Sequence, residues 1–578
     1  MAEYLSPGVY VEEFASGGQP MEGVGTSTAG FIGMAERGPV EGVPELVTNF
    51  AEFKRTYGGY LSENEFGEYR FLAYAVENFF VNGGSRCFIM RVAPQDAKCA
   101  TGFAPSEDKP ALTFAAKNPG MWGDAITITM TQQHKAKTQV KEVLTEDTGK
   151  KYKVKSSAGF LAGDIVAYIN EGKAVYNKIV KSQDNIIMFQ EEFEDDIVDV
   201  ELVPTKILTT CEMRIDVKFE DIVETYENVS FNMESPNFIV NKLAKSSLVT
   251  VSFTGTEEKE IKSPFGMVAA KEDDAQAVVT LSGGSNGDIS SVSAADFMGV
   301  DNGAGKRTGI QAFVDNDVVS LMAAPGITDP NVQLSLVAHC ENLASRFAVL
   351  DVPKDAKKVQ DIITHRDLFD STYAALYHPW LTVFDPLDKK NISIPPSGSV
   401  LGIYARSDNQ RGVHKAPANE VVRGCVGLDC QFNKGEQDIL NPKGVNLIRS
   451  FPGQGIRVWG ARTASSDGSW KYVNVRRLFI YIEESIKANT NWAVFEPNDE
   501  TLWDRVKRTI SVFLNSMWRE GSLAGSSPEE AFFVNVGRDT MSQDDINNGR
   551  LICVIGVAPV KPAEFVIFRL TQKTSDSE

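Results

Sequence analysis

At 578 residues, with 42% hydrophobic and 23% charged residues, the chain has the composition of a globular protein of several domains, not of a disordered one. Its formal net charge of −19, with no long basic run, argues against a nucleic-acid partner. No apolar run approaches the roughly 20 residues that span a bilayer and no leader opens the chain, so the expectation is a cytoplasmic chain without membrane insertion; the seven scattered cysteines read as free thiols, not zinc ligands.

Taken in order, residues 5–14 (LSPGVYVEEF) place a Pro-Gly breaker before Val9, Tyr10 and Val11, a strand-forming run too short to fold alone. It needs a sheet to join, in its own domain or on a neighbour. A glycine-rich tether leads to a short strand at 31–34. From residue 67 the pattern turns helical, with Leu72, Ala75, Val76, Phe79 and Phe80 on one face and Gly83-Gly84 as the stop; 87–93 then reads as a buried strand. Alternation at Ile126, Ile128 and Met130 opens a stretch to about residue 282 of short alternating runs with acidic spacers, which predicts an antiparallel β insertion. The acidic run 191–196 lacks the alternating ligands and glycine of a calcium loop.

After Leu281 strands are expected at 318–324, 347–352 and 374–384, with helices opened by Asp329-Pro330 and spanning 354–365 between them. That alternation predicts a parallel sheet with right-handed crossovers. It also invites an enzymatic reading, which the residues do not support. Residues 302–309 (NGAGKRTG) fail as a phosphate loop, because Val300 stands where a glycine is needed and Arg307 follows Lys306. Asp351 and His365 come with no G-x-S-x-G elbow, and His339 and His378 are single histidines among apolar neighbours. No catalytic, cofactor or metal residues are therefore expected.

Further on, two apolar runs flank Pro452-Gly453-Gln454-Gly455, a hairpin signal threaded by Arg449, Arg457, Arg462, Arg476 and Arg477, which are expected to offer guanidinium donors to partners. A helix over 470–489 turns Val475, Leu478, Phe479, Ile482 and Ile486 inward and pairs Glu483 with Lys487. Residues 498–500 cap a second helix bearing Leu502, Val506, Ile510, Phe513 and Met517, with Arg505, Lys507, Arg508 and Arg519 outward, either as a solvated basic face or against an acidic partner. A last strand over 564–572 is apolar on both faces, with Phe565 and Ile567 on one and Val566, Phe568 and Leu570 on the other. Pro559 and Pro562 precede it and favour an extended connector.

Several longer motifs carry a family resemblance. YAALYHPWLTV (373–383), PPSGSVLG (395–402), GVHKAPANE (412–420), LNPKGVNLIR (440–449), IRVWGART (456–463), YVNVRRLF (472–479) and VAPVKPAEF (557–565) closely resemble tail sheath proteins of contractile phages and phage-like injection particles, as do PGVYVEE (7–13), NPGMWGD (118–124) and LSGGSNGD (281–288). The resemblance implies an α/β and β multidomain fold whose terminal strands are exchanged between subunits. Its parts would be an N-terminal extended arm (1–20), a first part of the central domain (21–117), an outward-facing β-rich insertion (118–282), a central α/β, subtilisin-like domain with a parallel sheet (283–395), an α+β C-terminal domain facing inward (396–562) and a C-terminal arm (563–578).

What it implies of function is a helical homo-oligomer around an inner tube protein, with baseplate and tail-terminator or cap proteins as further partners, assembled in the cytoplasm of the producing bacterium. On that expectation Val9, Tyr10, Val11, Phe565, Val566, Ile567 and Phe568 form intersubunit strands, and Arg505, Lys507 and Arg508 face the tube. A particle-borne hydrolase and a baseplate or tube component are the alternatives.

Overall fold

The computed structural model describes residues 21–569, apart from 147–148, 171–172, 192–206, 256–260 and 272–273. Val9, Tyr10, Val11, Leu570 and the acidic run beyond Glu191 lie outside the described residues.

Among the described residues the largest sheet has nine strands, in the order Glu45–Val47, Cys87–Val92, Ala29–Met34, Leu321–Ala323, Phe347–Asp351, Ala374–His378, Val445–Phe451, Gly455–Val458 and Glu420–Val421. From Cys87–Val92 across to Val445–Phe451 neighbours pair in parallel, and both ends are closed by antiparallel pairs. These strands are almost continuously apolar because both faces are covered. Phe31, Ile89, Val349 and Tyr377 face one core, under the helices Leu72–Val81 and Ser397–Arg411. Ile32, Met90, Leu350 and Leu376 face the other, under Pro330–Leu343, which Asp329 caps. On the first face the two helices touch backbone to backbone. A Cβ on Gly398 would stand 2.3 Å from the Ala75 carbonyl oxygen, and one on Gly402 2.4 Å from that of Phe79.

Three expectations need correction. The run 374–384 is two strands: Pro379 cannot donate to a ladder, so Ala374–His378 stays in the large sheet while Leu381–Asp385 pairs with Lys390–Ile394 and Gly427–Leu428. A boundary at 395/396 cuts the large sheet, because Glu420–Val421, Val445–Phe451 and Gly455–Val458 complete it. The β insertion starts before residue 118: Leu112–Ala116 pairs with Thr101–Ala104 on one side and with Val249–Phe253 on the other, and Phe114 shares a core with Ile128 and Val217. Inside the insertion the pairing is antiparallel, in a closed barrel of Lys137–Glu146, Gly149–Val154, Ile165–Asn170, Lys173–Gln183, Ile186–Phe189 and Ile207–Thr210 and a separate sheet built on Thr127–Gln133 and Glu212–Phe219.

Beyond the large sheet, the helices Val473–Asn489 and Glu500–Arg519 pack Leu478, Ile482, Leu502, Val506, Ile510, Phe513 and Met517 into one core with a two-stranded antiparallel sheet, Phe532–Val536 against Cys553–Val557. Asp499 caps the second helix, accepting from the Leu502 amide at 2.9 Å. Lys487 meets Glu484 at 3.5 Å, not Glu483 as expected; Glu483 instead lies in the field of Arg476.

Candidate functional site

The residues that might have carried chemistry are spent on one another. Asp351 is fully buried at a strand end and accepts from the Ser397 amide at 2.9 Å, the Ser397 hydroxyl at 2.7 Å and the Gly326 amide at 3.0 Å. Burial pushes its carboxyl up to about 6 against the pull of those donors. Among the described residues Ser397 makes no hydrogen bond to an imidazole that could take its proton. His365 instead meets the Gln333 side-chain oxygen at 2.9 Å, His339 meets Arg346 at 3.0 Å, and His378 stands 3.9 Å from the Cys430 sulfur. Burial lowers all three histidines to about 4. In the glycine loop, Arg307 pairs with Asp301 and Asp315. Among the described residues no group of three or more His, Cys, Asp or Glu side chains could hold a metal ion.

Both terminal segments are held by specific contacts where they leave the body. On the C-terminal side, residues 558–564 are pinned. The Ala524 amide donates to the Ala558 carbonyl at 2.8 Å, and Asn474 Nδ2 donates to the Val560 carbonyl at 3.2 Å. Glu564 then sits in a four-residue clamp: Arg462 grips both carboxylate oxygens at 2.7 Å, Asn441 donates at 2.8 Å, the Tyr472 hydroxyl at 3.1 Å, and Lys471 stands at 3.5 Å. Burial pushes this carboxyl up, but the Arg462 and Asn441 donors outweigh it and hold the group at about 2.

Past the clamp everything changes. Phe565, Val566, Ile567 and Phe568 are 70%, 70%, 79% and 83% exposed. Of the strand expected over 564–572, residues 564–569 are described, and they find no ladder partner among the described residues. Phe565 and Val566 instead edge a cleft of about 980 Å³ walled by Phe451, Trp459 and Pro562.

On the N-terminal side, residues 22–26 run along the same helix that holds the other root. Glu22 exchanges hydrogen bonds with the Asn489 side chain, its carbonyl accepting at 2.8 Å, and the Val24 amide donates to the Ser485 hydroxyl at 3.1 Å. Thr26 donates to Asp408 at 2.6 Å, and its carbonyl accepts from Arg477 at 3.0 Å. The helix Val473–Asn489 thus holds the C-terminal root at Asn474 and the N-terminal root at Asn489, about 22 Å apart along its axis.

That assignment corrects the expectation for the arginines. Arg462 and Arg477 are bound inside the chain to Glu564 and Asp408, and the Arg476 guanidinium lies 3.5 Å from the Trp470 ring centroid. Arg449 donates to Gln437 and Arg457 to the Asn419 carbonyl. A guanidinium at the foot of a packed sheet has to be satisfied there, because an unpaired buried charge costs more than any later contact returns. Arg505, Lys507 and Arg508 are different: all three are exposed, with Arg505 lying 4.0 Å over the Trp492 ring.

The sheet of Phe532–Val536 and Cys553–Val557 has only two strands among the described residues, and Phe533 and Val554 are 51% and 44% exposed on its outer face. The clamp was not anticipated from the sequence, although Glu564 is the one acidic residue between Asp545 and Asp576.

Residues 291–464 match the phage tail sheath protein central domain and residues 465–573 the phage tail sheath C-terminal domain. The chain is 24% identical over 286 residues to the tail sheath protein of Escherichia phage P2, a match covering 47% of this chain and 69% of that one. Its fold is similar to the PVC sheath of an extracellular contractile injection system in the contracted state, at 21% identity and a TM-score of 0.52 with 99% of each chain covered. The helical sheath of the anti-feeding prophage in its contracted state is similar too, at 20% identity and a TM-score of 0.51 over 98% of this chain and 99% of that one.

Proposed function

Because this chain belongs to the contractile tail sheath family and is a structural sheath subunit of a phage tail or phage tail-like particle, we propose that its copies are joined by exchanging terminal strands. The segment carrying Val9, Tyr10 and Val11 and the segment carrying Phe565, Val566, Ile567 and Phe568 each add to a sheet on a neighbouring copy. The observation that carries this reading is the pairing of an acceptor with a donor: a sheet that has only two strands among the described residues, and four consecutive exposed apolar residues beyond a rigid clamp. Main-chain hydrogen bonds supply affinity in such an addition, and alternate side chains supply register. A head-to-tail contact repeated with a rotation and a rise builds an open helix.

In this reading the helix surrounds an inner tube, with Arg505, Lys507 and Arg508 toward the tube wall, and its ends meet baseplate and cap proteins after assembly in the bacterial cytoplasm. The subunit carries out no catalysis. The energy of contraction is the difference between two packings of the same folded bodies, and the pinned roots keep neighbours attached while those bodies move. Negative-stain microscopy of the purified chain is the test. Long hollow helical tubes are the expected product, and a monodisperse monomer or a short closed ring contradicts the reading.

A further inference from the structure

One strand of the nine-stranded sheet carries a side chain that packing alone does not call for. Asn446 lies in Val445–Phe451, fully buried between Val445 and Leu447. Its partners are backbone groups: Nδ2 donates to the Leu376 carbonyl at 3.1 Å and to the Arg462 carbonyl at 2.8 Å, and Oδ1 accepts from the Arg462 amide at 2.7 Å. So close an approach requires glycine at 460, where a Cβ would stand 2.8 Å from that oxygen. A valine or isoleucine, which suits a covered parallel strand, would strip the buried Arg462 amide and carbonyl of these partners.

Through Arg462 this fastening reaches the C-terminal arm. The Arg462 backbone also bridges to Tyr472, and the Thr463 amide donates to the Lys471 carbonyl at 2.9 Å. The guanidinium, the Tyr472 hydroxyl and the Lys471 ammonium around Glu564 therefore stand on one short ladder, which Asn446 ties to the parallel sheet. Upstream of Glu564 the chain is held by a different unit: the Ala558 amide donates to the Ala531 carbonyl at 2.8 Å and the Val560 amide to the Ser522 carbonyl at 3.4 Å, directly beyond the strand Cys553–Val557. If Glu564 were free, a pull on the exposed residues 565–568 would reach that strand end-on. With Glu564 gripped, the pull passes to Arg462, to Asn446 and into the strand Ala374–His378 at Leu376.

We infer that Asn446 is the positioning residue of the C-terminal arm: by holding the Arg462 backbone on the strand Val445–Phe451 it aims the clamp at Glu564, so that the arm is anchored in the nine-stranded body and not in the two-stranded sheet. This role rests on the exchange of terminal strands between copies. The arm that a subunit gives and the sheet on which it receives are then fastened separately, and a pull on the first does not peel the second. An arm held in one exit direction also loses less freedom when it pairs with a neighbour.

The test combines a double-mutant cycle with the concentration at which helical tubes appear, all in the full-length chain. Glu564→Gln is expected to shift the urea unfolding equilibrium on the order of thirty-fold in the parent and less than about three-fold beside Asn446→Ala, because the clamp it weakens is then already misplaced. Equal shifts in the two backgrounds would show that Asn446 does not act through the clamp and overturn the inference. Asn446→Ala should also raise the tube-onset concentration on the order of ten-fold or more, whereas Ile89→Ala, a buried truncation toward the other end of the same sheet, should lower stability and leave the onset at the parental value. A parental onset for Asn446→Ala makes the residue merely structural and overturns the inference. If Asn446→Ala does not fold, Asn446→Thr is measured in its place, since its branching suits a strand and its hydroxyl can keep one of the bonds. A chain lacking residues 565–578 separates the two readings: its parental onset would refute strand exchange at that end, while its failure to form tubes beside a parental onset for Asn446→Ala would refute the positioning role alone.

Discussion

Two sheets of this subunit are built on opposite terms. The nine-stranded sheet is apolar on both faces and covered on both, and antiparallel pairs finish its ends. The two-stranded sheet Phe532–Val536/Cys553–Val557 packs one face on the helices Val473–Asn489 and Glu500–Arg519, and shows Phe533 and Val554 on the other. Two strands alone are marginal in water, and open edges invite pairing. On the proposed strand exchange, the contrast separates a body that stays constant from a surface left for other chains. Substitutions in the first should cost stability, whereas substitutions at the second and at the arms should cost assembly.

The largest stability loss is expected inside the body. Arg477 and Asp408 are each 4% exposed and paired, so Arg477→Met strands a buried carboxylate and should cost about 3–5 kcal/mol in denaturant unfolding. The same change releases the Thr26 carbonyl, so the N-terminal root should exchange its amides faster. Next comes Gly398→Val, whose added carbons meet the Ala75 backbone; overpacking of that kind should cost about 3 kcal/mol.

Glu564→Gln is intermediate, at about 2 kcal/mol, the scale of a charged hydrogen-bond set at a partly exposed site. It carries a pH signature. The folded-state value of about 2 lies below the ordinary 4.5, so the clamp's contribution is present above pH 4.5 and is lost as pH falls toward 2. The stability gap between parent and Glu564→Gln should therefore close across that window in an acid titration. A constant gap would show that the carboxylate is not what anchors the C-terminal root.

The smallest stability effect and a complete assembly effect belong together. Phe565→Asp with Ile567→Asp alters side chains that are 70% and 79% exposed, so the melting temperature should shift by an amount equivalent to about 0.5 kcal/mol or less. Helical polymers should be absent. Stable subunits that still polymerise would remove this segment from the interface.

How much of this was legible depended on whether the deciding contact was local. The helices Leu72–Val81, Pro330–Leu343 and Glu500–Arg519 follow from apolar periodicity and from the caps Asp329 and Asp499. Strand neighbours were hidden, since Val445 pairs with Leu376 across a stretch that includes another sheet's strands. The split at Pro379 was readable in principle, because proline forbids the ladder donor, but two strong apolar runs on either side masked it. Thr101–Ala104 joined the insertion through the hairpin partner Leu112–Ala116, which pairs with Val249–Phe253, and through a bridge from Thr101 to Ser282, and no local pattern reports those distant partners. The Glu564 clamp needed knowledge that Arg462, 102 residues earlier, stands beside it.

The central claim is that copies are joined by their terminal arms and not by their bodies. Its most direct measurement is negative-stain microscopy of two truncations beside the parent, one lacking residues 1–15 and one lacking 565–578, each with its melting curve. Hollow helical tubes are predicted for the parent, and soluble, cooperatively melting subunits without tubes for both truncations. Tubes of parental diameter from either truncation would contradict strand exchange at that end, and a truncation that failed to fold would show that its segment completes its own domain instead.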